Sequence, residues 1–245
     1  NYALSNVDVA NLYTVQNTFP GAVTDLVAEY KFAGNTEDAT QFGNHATTGG
    51  AQPAKDRFGY GANAYQFAGA DSVLASNSVQ LNSDYTTISF WVKPDELPAT
   101  GEAYLLSNGG WQERWKISLP SHGKPVFTTN YANGISDMDS GTGNELTVGV
   151  WKHVVMVHDG VKDKIFVNGV LANSKDVPGK LNSTKQPLGI GTRQRVGVGV
   201  ADAGGLDLDQ HLAGLGPLEL HGLDHQGLAG LVGNGGSHVH QGVSR

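Results

Sequence analysis

The chain has 245 residues, with 39% hydrophobic and 16% charged positions, a net charge of −7 at neutral pH, 34 glycines and no cysteine. That composition favours many turns over long helices and excludes disulfides, thiolate metal sites and a cysteine nucleophile. The acidic balance, with no Lys/Arg stripe, gives no grip on a polyanion, so nucleic acid is excluded as a partner, and no apolar run approaches the roughly 20 residues that span a bilayer, so membrane insertion is not expected.

In chain order, Ser5 is placed to cap a short amphipathic helix, with Asp8 three residues on and Val9, Leu12 and Tyr13 at helical spacing. A linker or turn is expected from Thr14 to Gly21. Leu26 to Phe32 alternates apolar and polar, which predicts a half-buried strand with Leu26, Ala28, Tyr30 and Phe32 on one face. A long polar, Gly-rich stretch follows, of the kind that is either functional or pinned by something.

Short strands are then predicted at 64–67, 72–74, 87–92, 104–107, 115–119, 125–128, 151–158, 164–167 and 188–190. Asn168-Gly169, flanked by Ile165/Val167 and Val170/Leu171, predicts a two-residue hairpin, and Asp159-Gly160 a second tight turn. About ten short strands without intervening helices point to an all-β sandwich.

After Thr192 the composition changes. Residues 193–245 contain no Phe, Tyr, Trp, Ile, Lys or Met, and their frequent glycines would each cost roughly 1 kcal/mol in a helix. This tail is open to three readings: a metal-binding tract using His211, His221, His225, His238 and His240, a segment without a packed structure, or the product of an altered reading frame.

The stretch from "LVAEYKFAGNTEDATQFGN" through "TISFWVKPDELP", then "YLLSNGG", "RWKISL", "GVWKHVVMVHDGVKDKIFVNGVLANS" and "QPLGIGT", resembles the laminin G-like domains of the concanavalin A-like superfamily, found in bacterial surface and secreted proteins. The resemblance implies a two-sheet antiparallel jelly roll over 19–192. It also implies that 1–18, with "NYALSNVDVANLYT", is the end of a preceding laminin G-like repeat and linker, and that 193–245 is an irregular tail. The family's closing strand has no recognisable match after Thr192, so the domain is expected to lack one. An extracellular or cell-surface location follows from the same likeness, with neighbouring repeats as partners.

Jelly rolls host enzymes as well as binding modules. A retaining hydrolase needs two carboxylates about 5 Å apart, as acids two residues apart on one strand face supply. Glu37-Asp38, Asp95-Glu96 and Asp137/Asp139 are all expected in loops. No nucleophile elbow is present, and His153 and His158 read as strand residues. The chain is therefore read as non-catalytic.

Glycan binding fits the residues better. Aromatic rings stack on pyranose faces while planar polar groups bond the hydroxyls. In "NGGWQERWK" Trp111 follows a Gly-Gly turn beside Gln112 and Arg114, Trp115 belongs to the core, and Asn130 and Tyr131 are added from a later segment. A polysaccharide or surface glycan is the expected ligand. The alternatives are an adhesion or spacer module binding another protein, and a lyase or hydrolase domain. Asn35, Glu37, Asp38 and Asn44 supply hard oxygen donors in one loop, so a structural calcium ion is the expected cofactor, in keeping with the family.

Overall fold

The computed structural model describes residues 4–18, 26–68, 71–193, 198–201 and 207–209. Among the described residues one α-helix, α1 (Asn6–Thr18), precedes fifteen strands: β1 (Ala46–Gly49), β2 (Gln52–Ala54), β3 (Ala64–Phe67), β4 (Ser72–Ala75), β5 (Thr86–Pro94), β6 (Glu102–Asn108), β7 (Trp115–Pro120), β8 (Val126–Tyr131), β9 (Gly134–Asp139), β10 (Lys152–His158), β11 (Lys162–Val167), β12 (Val170–Asp176), β13 (Leu188–Arg193), β14 (Val198–Ala201) and β15 (Asp207–Asp209), with a short 3-10 turn at Gln80–Asn82 before β5. They form two antiparallel sheets. One runs β1-β4-β13-β6-β7-β8-β9, the other β12-β11-β10-β5-β14-β3-β2, with β15 also paired to β5.

The core lies between the sheets and follows the period-2 pattern of the strands. Ile117, Phe127, Leu188 and Ile190 from the first sheet meet Ile88, Phe90, Val154, Met156 and Ile165 from the second. A polar tie crosses this interior near one end. Thr129 donates to Asp163 at 2.6 Å, Asp163 meets His158 Nδ1 at 2.7 Å, and His158 Nε2 meets the Gly179 carbonyl at 2.9 Å. All three side chains are sealed from solvent, so this trio holds structure together and has no path to a substrate.

The N-terminal helix forms through the expected capping box: Ser5 Oγ accepts from Asp8 N at 3.2 Å and the Asp8 carboxylate accepts from Ser5 N at 3.0 Å. It runs to Thr18, past the expected end at Thr14, because nothing in Thr14–Thr18 breaks a helix. Val9 and Leu12 on its apolar side, with Leu4 just ahead of it, cover Val155, Val157 and Phe166 on the back of the second sheet, joined by Leu26. Tyr13 stacks on Trp91 and His153 at 5.9 and 5.7 Å. Gly169 makes room for it, since a Cβ at that position would lie 2.8 Å from Tyr13. The Asn168-Gly169 hairpin itself is as read, both residues having positive φ, 51° and 76°.

Three expectations are corrected. Residues 26–32 are not a strand. They make a single bridge, Tyr30 to Asp38, and Leu26 faces the helix while Val27, Ala28, Tyr30 and Phe32 face the core, so Glu29 is carried inside with them. Asp137 and Asp139 lie on edge strand β9, where Thr128 on β8 donates to Asp137 and Asp139 caps the next turn by accepting from Gly141 N at 2.8 Å. Third, the place of the closing strand is filled. β14 pairs with β3 on one side and β5 on the other, Val200 standing opposite both Tyr65 and Val92, and β15 continues along β5. "VGVA" carries no apolar–polar alternation, and its place is given by its pairing with β3 and β5. The five tail histidines lie outside the described residues.

Candidate functional site

The long polar stretch is pinned, and by the residues expected to hold calcium. Asp38 Oδ1 accepts from Glu29 N and Thr40 N, both at 2.9 Å, and Oδ2 accepts from Thr40 Oγ1 at 2.9 Å and Asn44 N at 2.8 Å. Asn44 Nδ2 donates to the Val27 carbonyl at 2.6 Å, and Tyr30 donates to the Asn44 carbonyl at 2.6 Å. Asn35 and Glu37 are exposed, Asn35 accepting from Glu37 N at 3.2 Å. With Asp38 saturated, the four residues present no shared cage of open oxygens, and they do not fit the ion. Among the described residues no group of three or more His, Asp or Glu is placed to hold a metal.

The site that the fold does build lies on the outer face of the first sheet. Strand registers align Thr47, Leu74, Gly189, Ser107, Lys116, Thr128 and Asp137 in one row across it. Leu188 and Ile190 point into the core, so Gly189 faces outward by alternation, and the row has a gap in it where a side chain would stand. A depression of about 380 Å³ sits over that gap. Leu74, Gly189, Ser107 and Tyr104 belong to its floor, the 109–113 turn forms one wall, and Gln186 and Pro187 form the other.

Both walls are fixed from below. Gly109 adopts φ 73° where its Cβ would lie 2.6 Å from Thr184 Oγ1, so the turn closes against the opposite wall at a position only glycine allows. Glu113 on the turn accepts from Thr184 Oγ1, and Gln186 Nε2 lies 3.5 Å from its other oxygen. Thr184 is itself held, donating from N to Asn82 Oδ1 at 2.7 Å and accepting at O from Asn77 at 2.9 Å.

The five residues expected to contact a ligand divide. Trp111, 43% exposed, and Gln112 line the depression. Arg114 does not reach it: fully buried, it donates from Nη1 to the Asn182 carbonyl at 2.7 Å and from Nη2 to the Ser83 carbonyl at 2.6 Å. Burial lowers its pKa to about 10, which still leaves it charged at neutral pH. Asn130 is also buried, donating to the Trp111 carbonyl at 2.7 Å and accepting from Asn182 at 3.2 Å. These two therefore position the Trp111 turn. Tyr131 bridges to Leu181 and stands apart from the lining. Trp115 is buried as expected. Tyr104, Ser107, Glu113 and Gln186 were missed. The first two needed the sheet register, and the last two the meeting of loops more than 70 residues apart in sequence.

Lys116 is buried beside the floor, paired with Glu102 and 5.0 Å from the Tyr104 ring centre. A second depression, bordered by Asp84, Lys180, Asn182 and Lys185, shares Glu113 and Gln186 with the first, and Lys180 pairs with Asp84 at 2.6 Å. Neither depression is lined by Asp137 or Asp139. Among the described residues no helix is long and apolar enough to cross a membrane.

Comparison with curated protein sequences finds no match. Among solved structures, the fold is similar to the binding domain of botulinum neurotoxin DC in complex with SialylT, at 15% identity and a TM-score of 0.59 over 76% of this chain and 49% of that one. It is equally similar to the same domain in complex with rat synaptotagmin II, at 15% identity and TM-score 0.59 over 80% and 52%. The serotype G binding domain matches at 15% identity and TM-score 0.55 over 79% and 50%. The chain thus spans about half the length of these structures, and the likeness is one of fold. A family profile, the concanavalin A-like lectin/glucanases superfamily, matches residues 67–207, from the end of β3 to the start of β15. With two antiparallel sheets enclosing one core and a sequence match over more than half its length, the chain belongs to the laminin G-like family of that superfamily.

Proposed function

We propose that this chain is a non-catalytic carbohydrate-binding module of a larger extracellular protein, taking a polysaccharide or surface glycan in the depression beside Trp111. One observation carries the reading: a half-exposed tryptophan on the rim of a concave, polar-lined site whose two walls are locked before any ligand arrives. A sugar ring stacked on the indole would find Gln112, Gln186, Ser107 and the Tyr104 hydroxyl within the same lining. Prior locking of the walls reduces the ordering cost of binding, which matters for a small site with few contacts. Neighbouring copies of the module would raise a weak single-site affinity by effective concentration.

The neurotoxin domain solved with SialylT supports the glycan reading, and the one solved with rat synaptotagmin II supports a second, docking to a protein. The test is affinity electrophoresis of the whole chain through soluble polysaccharides, comparing wild type with Trp111→Ala and Gly189→Leu. Gly189→Leu fills the gap in the sheet row from the outside and leaves the core side chains as they are. Retardation by a polysaccharide, lost in both variants with unchanged near-UV circular dichroism, is expected. Retardation that survives both substitutions places the ligand elsewhere, and none at all by folded protein rejects the glycan reading in favour of the protein partner.

A further inference from the structure

Resting on that reading, we infer that the depression selects uncharged glycans over acidic ones, and that Glu113 is the residue that sets this preference. The lining contains one ionisable carboxylate, Glu113, and no Lys, Arg or His. Glu113 is half-buried in the wall, fixed by Thr184 and Gln186, both neutral donors, so its charge is oriented without being neutralised.

The nearest cations do not offset it. Lys116, next along the floor, has a side chain only 6% exposed and is paired with Glu102. Lys180 is paired with Asp84, and Lys185 lines the adjoining depression and not this one. The background field has the same sign, the chain carrying a net −7.

A carboxylate in such a wall accepts hydrogen bonds from hydroxyl groups, and charge-assisted bonds of this kind are the strong ones. A neutral sugar supplies those hydroxyls. A uronate or sialate brings a like charge into the same pocket, where each contact is repulsive and each hydroxyl gained is offset. The inferred ligand class is therefore a neutral polysaccharide or oligosaccharide.

The experiment uses the whole chain against two neutral polysaccharides, a β-glucan and a galactomannan, and two acidic ones, polygalacturonate and alginate, with wild type, Glu113→Gln and Trp111→Ala. Wild type is expected to be retarded by a neutral polymer and not by the acidic pair. Glu113→Gln should weaken neutral binding roughly tenfold and improve acidic binding by about three- to tenfold, the size of one like-charge contact removed. Raising salt to 1 M, where the screening length is about 3 Å, should narrow the wild-type discrimination without any substitution. Acidic polysaccharide bound by wild type as tightly as neutral, and lost in Trp111→Ala, overturns the selectivity while leaving the glycan site intact. A neutral preference that neither Glu113→Gln nor salt alters also overturns it. Folded wild type that binds none of the four defeats both the selectivity and the glycan reading beneath it.

Discussion

His153 on β10 gives the chain an acid-sensitive limb whose size follows from its surroundings. The imidazole is fully buried on the helix-covered side of the second sheet, against both Tyr13 and Trp91, with Nε2 2.8 Å from Ser89 Oγ and Nδ1 without a hydrogen-bond partner among the described residues. Burial, and then the nearby Arg57 guanidinium, lower its pKa to about 3. Above pH 6.5 the ring is neutral in the folded and unfolded chain alike, so the full stability is present. As pH falls below that, the unfolded chain takes up a proton that the folded chain refuses, and stability is lost progressively until the folded ring titrates near pH 3. At pH 5 the loss from this one group is about 2 kcal/mol. Urea unfolding at pH 7.5 and 5.0, followed by tryptophan fluorescence, should show the wild type losing about 2 kcal/mol more than His153→Gln over that interval. Equal losses in the two proteins would refute the account, whatever the variant's stability at neutral pH.

Arg114→Met should remove two charge-assisted bonds to buried carbonyls and lower stability by about 3 kcal/mol in urea titrations, while weakening glycan retardation by loosening the Trp111 turn; a variant that binds as well as wild type would separate the clamp from the site. Ser5→Ala should cost about 1 kcal/mol of helix opening, read as faster amide exchange through α1 with the strands unchanged. Gly169→Ala combines a positive-φ strain of about 1 kcal/mol with a Cβ driven into Tyr13, and adding Tyr13→Ala should recover the steric part of the loss but not the backbone part.

Thr86–Pro94 and Lys152–His158 were legible as runs of strand-forming residues between turn signals, although both of their faces are buried. Residues 26–32 alternate, yet they run between the helix and the core, so both sides are covered and the pattern loses its meaning. β14 failed in the opposite sense: "VGVA" has almost no local signal, and its place is decided by the open edges of β3 and β5. At the site, Trp111 was recoverable from its Gly-Gly turn and from Trp115 taking the core position. Arg114 looked like a ligand contact because charged residues are seldom fully buried; only the paired carbonyls of Ser83 and Asn182 explain its place inside. Gly189 is silent in sequence, since a missing side chain becomes a feature only when Leu74 and Ser107 stand on either side of it.

The insertion of β14 between β3 and β5 bears on how the molecule is made. Among the described residues, the central neighbour of β5 comes from the last strands in chain order, more than 100 residues after β5 itself. On a ribosome adding about 5–20 residues per second, β5 would wait on the order of ten seconds with one backbone edge unpaired. In the first sheet β13 comes equally late, entering between β4 and β6, while the hairpins from β6 to β9 can pair as they emerge. Both sheets should therefore be closed last, by β13 and β14, and the interval before closure is when the exposed edges are open to pairing with another chain.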